Sequence, residues 1–186
     1  HERFGGLHLH ESPAYVAADP KVDVVYISSP PAYHALHVRN ALEQKKAVFC
    51  EKPLGVDLED SRTLVEEVEA SGLPAVVNFN FASFPIARLL RQSLEEGTLG
   101  EVYGVSIHLH LEQWPRAFQK SARWLEGRAQ GGFSREVLSH YVYLSTLLFG
   151  PGKLKTATAL FPDTDYAEDT VMALVEHGEK TVTIEG

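Results

Sequence analysis

The sequence predicts an α/β protein in which a parallel sheet is followed by an α+β domain with a mainly antiparallel sheet. Three short apolar runs alternate with helical segments over residues 22–79, a pattern typical of parallel strands joined by helical crossovers. Residues 101–111 instead alternate between apolar and polar side chains, which indicates an antiparallel sheet with one open face. This change of pattern divides the chain into residues 1–80 and 81–186.

The elements of the first part follow from β-branched content, apolar periodicity and capping residues. The spacing predicts a strand, a helix and two further strands, at residues 22–28, 32–44, 47–50 and 75–79 respectively. A second helix lies before the last strand. Asp57 is suited to cap its first turn, and Gly72 is suited to end it.

The second part contains two predicted helices separated by a strand and an irregular loop. The first helix runs from about Pro85 to Glu96, and the second covers about residues 133–148. The predicted strands lie at residues 101–112, 153–161, 169–176 and 180–184, and the loop at residues 113–131.

One strand ends in a group of residues that can carry chemistry. Residues 47–53 read Ala-Val-Phe-Cys-Glu-Lys-Pro, a buried strand that Pro53 ends because proline cannot continue the ladder. Glu51 and Lys52 therefore lie at the carboxyl end of the strand, where ligands bind in open α/β sheets. A lysine there can exchange a proton near neutrality. A solvated charge pair at a strand end would explain the same residues.

A second candidate pair lies on the predicted helix at residues 133–148. Glu136 and His140 are four residues apart, so both project from one face of a regular helix. A carboxylate beside an imidazole can fix the tautomer of the ring and raise its basicity, as a general base requires. An ordinary helical ion pair has the same spacing.

Three sequence blocks, taken in order, resemble one family. Val22 to Pro31 with His34, then Glu51-Lys52-Pro53, then Gly131-Gly132 with Glu136-x-x-x-His140 look like the Gfo/Idh/MocA family of nicotinamide-dependent oxidoreductases. The resemblance implies a partial Rossmann-type domain followed by a truncated α+β domain for substrate binding and oligomerisation.

The resemblance also implies roles for individual residues. It implies that NAD or NADP is contacted by Ser29, Pro30, Pro31, His34, Glu51, Lys52 and Asn80. It implies catalytic roles for Lys52, Glu136 and His140, with His140 as acid/base and Glu136 as its orienting partner. Glu136 stands where the family usually has Asp, and Tyr143 where many members carry a second acid.

The function that these motifs predict is hydride transfer between NAD(P) and a hydroxyl or carbonyl carbon of a sugar, cyclitol or related polyol. The alternative is a non-catalytic regulatory protein of the same fold that binds NAD(P) or a sugar. Loss of Lys52, Glu136 or His140 would favour that alternative, and all three are present. A metal-dependent hydrolase is a more distant alternative.

The Gly-x-Gly-x-x-Gly turn of a dinucleotide-binding unit does not occur in this sequence. Set against the family, the chain is expected to begin after the second strand of the domain and to stop inside the second sheet. We therefore expect these residues alone to bind NAD(P) poorly and to be inactive. The residue that would distinguish NAD from NADP is expected to lie upstream.

The amino-acid composition indicates which classes of partner and which cellular compartment the protein is expected to have. The net charge of −8 over 186 residues, without a basic stripe, argues against nucleic-acid binding. No apolar run is long enough to predict a membrane span. The single cysteine, Cys50, suits a reducing cytoplasm. By resemblance, the second sheet is expected to form a homo-oligomer.

Several histidines have a spacing that could hold a metal ion, but the sequence predicts no metal site. His108, His110 and Glu112 alternate along the strand predicted at residues 101–112, a spacing that offers zinc ligands. A polar sheet face that lines a ligand or a subunit interface is the preferred interpretation, because no further cluster completes a site. His8 and His10 are expected to be solvated.

Overall fold

The computed structural model describes residues 6–186. The chain divides into two compact units, His1–Asn78 and Phe79–Gly186. Among the described residues, no helix is long and apolar enough to cross a membrane.

The first unit is built on a parallel sheet with strand order β1-β2-β3. Its strands are β1 (Val24–Ile27), β2 (Ala47–Glu51) and β3 (Ala75–Asn78), and its helices are α1 (Pro13–Ala18), α2 (His34–Glu43) and α3 (Leu58–Ser71). Ile27 is in register with Cys50, and Glu51 with Asn78. The strands therefore run in one direction and end at a common carboxyl edge, which confirms the predicted parallel sheet.

Local signals explain most of these elements. The Asp57 carboxylate accepts the Asp60 N–H at 2.7 Å, and Gly72 ends α3 with φ +64°, as the sequence predicts. Helix α1 was not predicted. It has only 6 residues, although Ser12 caps it and Pro13 begins it. The core beneath the sheet consists of Ala17, Val25, Ile27, Val38, Ala41, Val48, Cys50 and Leu64.

The second unit contains a mixed four-stranded sheet with order β4-β7-β6-β5. Its elements are α4 (Pro85–Glu95), β4 (Gly104–His108), α5 (Ser139–Phe149), β5 (Lys153–Leu160), β6 (Thr170–His177) and β7 (Lys180–Glu185). The pairs β5–β6 and β6–β7 are antiparallel, whereas β4 and β7 are parallel. The core of this unit consists of Phe133, Leu138, Val171, Val175, Val182 and Ile184.

Strand β4 differs from its prediction in length and in pairing. It ends at His108, so His110 and Glu112 do not continue an alternating strand face, and His108 instead lies 3.1 Å from the Glu185 carboxylate. Its parallel partner β7 was expected to be antiparallel. The alternation of side chains along a strand predicts which face is buried. It does not predict whether the neighbouring strand is parallel or antiparallel, because side chains alternate in both cases.

Candidate active site

Glu51 joins the ends of the three parallel strands at their carboxyl edge. Its Oε1 accepts a hydrogen bond from the Tyr26 hydroxyl at 2.7 Å and another from the Asn78 side-chain amide at 2.8 Å. The hydrogen bond to Glu51 raises the pKa of Tyr26, with a smaller contribution from burial. Glu51 therefore fixes the edge of the sheet from which Lys52 leaves β2.

Lys52 is buried, with 8% of its surface exposed. Lysines are rarely buried to this extent, since removing an ammonium group from water costs free energy. The Lys52–Pro53 peptide bond is cis, and the chain turns away from the sheet directly after the lysine. A buried lysine at this edge is suited to donate a hydrogen bond or a proton.

His34 ties together two loops at the same edge. The ring is 1% exposed. Its Nδ1 lies 2.8 Å from the Pro53 carbonyl oxygen, and its Nε2 lies 2.7 Å from the Ser29 carbonyl oxygen. Both partners are acceptors, so only a doubly protonated ring can donate to both at once. The geometry gives His34 two partners within the protein, one in the Ser29-Pro30-Pro31 turn and one beside Lys52.

The turn after β1 offers polar contacts to a ligand. Pro31 is buried, whereas Ser29 and Pro30 are half-buried. The Ser29 hydroxyl oxygen is buried without a hydrogen-bond partner among the described residues. A buried hydroxyl without a partner is costly, and a hydroxyl or carboxamide group of a bound ligand would satisfy it. This observation fits a dinucleotide at this edge.

The two asparagines that follow β3 have different surroundings. Asn78, in the first unit, binds Glu51. Asn80 opens a 3₁₀ turn (Asn80–Ser83) in the second unit and is exposed. The family resemblance implies that Asn80 contacts the cofactor, whereas the hydrogen bond to the Glu51 carboxylate is made by Asn78.

In the second unit, Glu136 lies on a π-helical turn. This turn (Ser134–Leu138) precedes α5, and the Ser139 N–H donates to the Ser134 carbonyl oxygen. Such turns span five residues between bonded groups and occur frequently at functional sites. The prediction of one regular helix over Glu136 and His140 is therefore wrong in its first turn, because the wider turn changes the position of Glu136 relative to His140.

Gly132 and a carboxylate distant in sequence fix the start of this turn. Gly132 has φ +106°, and an added Cβ would lie 2.7 Å from a carboxylate oxygen of Glu168. Glu168 is 9% exposed and accepts the Ser134 N–H at 2.6 Å. Its carboxylate thus satisfies a free N–H group at the start of the turn. Sequence reasoning missed Glu168, because its partner lies 34 residues away and no local pattern signals the contact.

Aromatic rings hold the imidazole of His140. The residue is 8% exposed. The Phe81 ring stacks on it at 4.2 Å between centroids, and the Phe79 ring meets it edge-on at 6.0 Å. Phe79 also stacks on Tyr143 at 4.4 Å. These contacts orient the ring by packing, and the Tyr143 departure from the family pattern provides one of the stacked partners.

Comparison with known proteins agrees with this architecture. Residues 2–79 match the model of the oxidoreductase family with an NAD-binding Rossmann fold, and residues 87–186 match the model of the GFO/IDH/MocA C-terminal domain. The chain belongs to the Gfo/Idh/MocA family.

Individual relatives in this family are dehydrogenases by name. The chain is 29% identical over 177 residues to trans-1,2-dihydrobenzene-1,2-diol dehydrogenase from Macaca fuscata fuscata, which covers 91% of this chain and 51% of that protein. It is 31% identical over 163 residues to D-xylose 1-dehydrogenase (NADP(+)) from Hypocrea jecorina, covering 85% and 40% respectively. The chain thus spans about half the length of the curated relatives that it matches, or less.

A solved structure shows the same fold. The NAD-binding protein from Listeria innocua superimposes with a TM-score of 0.81 at 25% identity, covering 97% of this chain and 51% of that one. The parallel Rossmann-type sheet and the following α+β domain of the Gfo/Idh/MocA family are therefore confirmed for this chain.

Proposed function

We propose that this protein is an NAD(P)-dependent oxidoreductase that interconverts a hydroxyl and a carbonyl group on a sugar, cyclitol or related polyol. The observation that carries the proposal is the burial of two proton-transfer groups at family motif positions. Lys52, directly after β2, and His140, on α5, are each 8% exposed. Solvated surface charges would not be buried in this way.

Each group has a role in the proposed reaction. Oxidation removes a hydride from the substrate carbon and a proton from its hydroxyl, and bound NAD(P)+ supplies the hydride acceptor. We assign the proton to His140 as general base, with Glu136 as the carboxylate that orients the ring. Lys52 donates a hydrogen bond to the substrate oxygen and joins the proton relay. In the reverse direction, the same groups return the proton.

The remaining residues at the carboxyl edge are proposed to hold the cofactor or to position the groups that do. Ser29, Pro30, Pro31, Glu51 and Lys52 would contact NAD(P), and the buried Ser29 hydroxyl supports this assignment. Asn80 keeps its proposed contact. We give His34 a positioning role, because both of its ring nitrogens already lie within hydrogen-bond distance of protein carbonyls.

The substrate class and the assembly are part of the proposal. The names of relatives at 29% and 31% identity refer to a dihydrodiol and to xylose, which supports a polyol substrate. We propose that residues 81–186 form the substrate and oligomerisation domain. Strand β5 is exposed along its whole length, including Leu154 and Leu160, as a sheet that packs on a second copy would be. The cytoplasmic location stays a prediction.

An activity screen tests the proposal. The full-length protein is incubated with NAD+ or NADP+ and a panel of aldoses, inositols and vicinal diols, and nicotinamide fluorescence is followed. We expect turnover of at least one polyol with one of the two cofactors. Tight cofactor binding without turnover of any member of the panel would favour the regulatory alternative and contradict the proposal.

A further inference from the structure

A cluster of metal-ligating side chains lies in the first unit, among residues that the proposed reaction does not use. His8, His10 and Asp19 each offer one ligand atom, and these atoms all lie within 4.8 Å of one another. His8 and His10 lie two residues apart on the irregular segment before α1, and Asp19 follows the end of that helix. We propose that these side chains bind one divalent transition-metal ion of the zinc type.

The distances suit such an ion. The His10 Nε2 lies 3.2 Å from the Asp19 Oδ2, and the His8 Nδ1 lies 3.6 Å from the same oxygen. Tetrahedral ligands at about 2.0–2.1 Å from zinc are about 3.3 Å from one another. The two separations from Asp19 bracket this value, and the ligand atoms of His8 and His10 lie within 4.8 Å of each other. Binding one ion therefore requires only a small movement of the exposed His8 side chain.

Asp19 is held in place before any ion arrives. Its Oδ1 accepts the Lys21 N–H at 2.8 Å, and its backbone carbonyl accepts a hydrogen bond from the Lys46 ammonium at 3.1 Å. These bonds orient the carboxylate and leave Oδ2 facing the two imidazoles. Partners of this kind, which fix a ligand without touching the ion, strengthen metal binding by 10–100-fold in other sites.

The chemistry of the ligand set indicates which ions would bind. Two imidazoles and one carboxylate suit zinc and its first-row neighbours better than magnesium or calcium, which prefer oxygen ligands. The side chain of His8 is 80% exposed, whereas those of His10 and Asp19 are 17% and 13% exposed. The fourth position therefore opens to solvent, and the bound ion would tie the segment at residues 7–12 to the end of α1.

Metal titration of the full-length protein, prepared without a histidine tag, tests the site. Cobalt(II) serves as the spectroscopic probe and zinc as its competitor. We expect one equivalent of cobalt per chain to give the visible absorption of a tetrahedral or five-coordinate ion, and zinc to abolish it. His10→Ala and Asp19→Ala should each weaken binding by at least about tenfold. His110→Ala, which alters an exposed histidine outside the cluster, should bind like the wild type.

Two outcomes would overturn the site. One is wild-type protein that takes up no stoichiometric cobalt or zinc, as a metal-independent ion-pair cluster would. The other is binding that is unchanged in both His10→Ala and Asp19→Ala. Hydrogen exchange over residues 7–12 gives a second measure, since bound zinc should slow exchange there in the wild type and not in Asp19→Ala. Neither measurement depends on oxidoreductase turnover, so the metal site is tested independently of the proposed function.

Discussion

The carboxyl edge of the parallel sheet and the turn that carries His140 hold their functional side chains by different forces. At the sheet edge, His34 and Glu51 bind backbone carbonyls and polar side chains of neighbouring strands and loops. In the second unit, His140 is held between aromatic rings, and the π turn before its helix begins where the Glu168 carboxylate accepts the Ser134 N–H. Hydrogen bonds fix the orientation of the polar groups at the sheet edge, whereas packing fixes the His140 ring through the shape of the surrounding side chains. Substitutions in the two regions should therefore lower stability for different physical reasons.

The chain contains separate probes for the two units. Cys50, its single cysteine, lies in the first unit, and both tryptophans, Trp114 and Trp124, lie in the second. Burial, and to a smaller extent the Glu51 charge, raises the pKa of Cys50 to about 12. The folded thiol should therefore react only when the first unit opens. Thiol labelling reports one region, and tryptophan fluorescence reports the other.

The largest effect on stability is expected for His34→Ala. The change removes a buried ring and its hydrogen bonding to the part-buried Ser29 and Pro53 carbonyl oxygens, which should lower the free energy of unfolding of the first unit by about 3–5 kcal/mol. Labelling of Cys50 should then become at least about 100-fold faster, since each 1.4 kcal/mol corresponds to about tenfold.

His37→Leu is the matched control on the same helix. The Nδ1 of His37 is buried without a hydrogen-bond partner among the described residues, and burial lowers the pKa of the ring. Replacing it with an apolar side chain should change stability by less than about 1 kcal/mol. Equal labelling rates in the two variants would show that the His34 contacts do not hold the edge together.

A smaller effect is expected for Gly132→Ala in the second unit. Its positive φ and the close Glu168 carboxylate should make alanine cost about 2–3 kcal/mol. Gly178→Ala is the control, because Gly178 has φ +64° but nothing within 4 Å of an added Cβ. This substitution should lower the free energy of unfolding by about 1 kcal/mol. Urea unfolding followed by tryptophan fluorescence measures both. A Gly132→Ala variant as stable as Gly178→Ala would contradict the described contact with Glu168.

The difference between local contacts and contacts that are distant in sequence explains which features the sequence could predict. Local signals, such as the Asp57 cap, Gly72 and the strand at residues 47–50, reappear in the structure because they act within a few residues. The roles of His34 and Glu168 depend on partners 19 and 34 residues away, which no local periodicity reports. The π turn was missed for a related reason, since a four-residue spacing fits any regular helix. His8, His10 and Asp19 meet only because α1, itself unpredicted, returns the chain to them.

The smallest stability effect is expected for Tyr26→Phe, which removes an exposed hydrogen bond to Glu51 and should cost about 0.5–1 kcal/mol. A pH measurement is more informative. Because the folded-state pKa of Tyr26 is raised, the stabilisation is complete below about pH 10 and is lost as the pH rises further. Glu51→Gln should lower the pKa of Tyr26 towards its ordinary value in an NMR titration of labelled tyrosine. An unchanged pKa would mean that Glu51 does not accept this bond.

The most direct test of the proposed function is the effect of Lys52→Met and His140→Ala on turnover by the full-length protein. Each should lower kcat/KM per folded molecule by about 100-fold or more, the scale of a positioned acid or base, and this loss should exceed any change in cofactor affinity. Glu136→Gln should lower kcat/KM by a smaller factor than either of these substitutions. Lys120→Met and His110→Ala, which alter exposed residues, should behave like the wild type. A lowered Tm with near-normal turnover per folded molecule in both Lys52→Met and His140→Ala would make these groups structural and contradict the account.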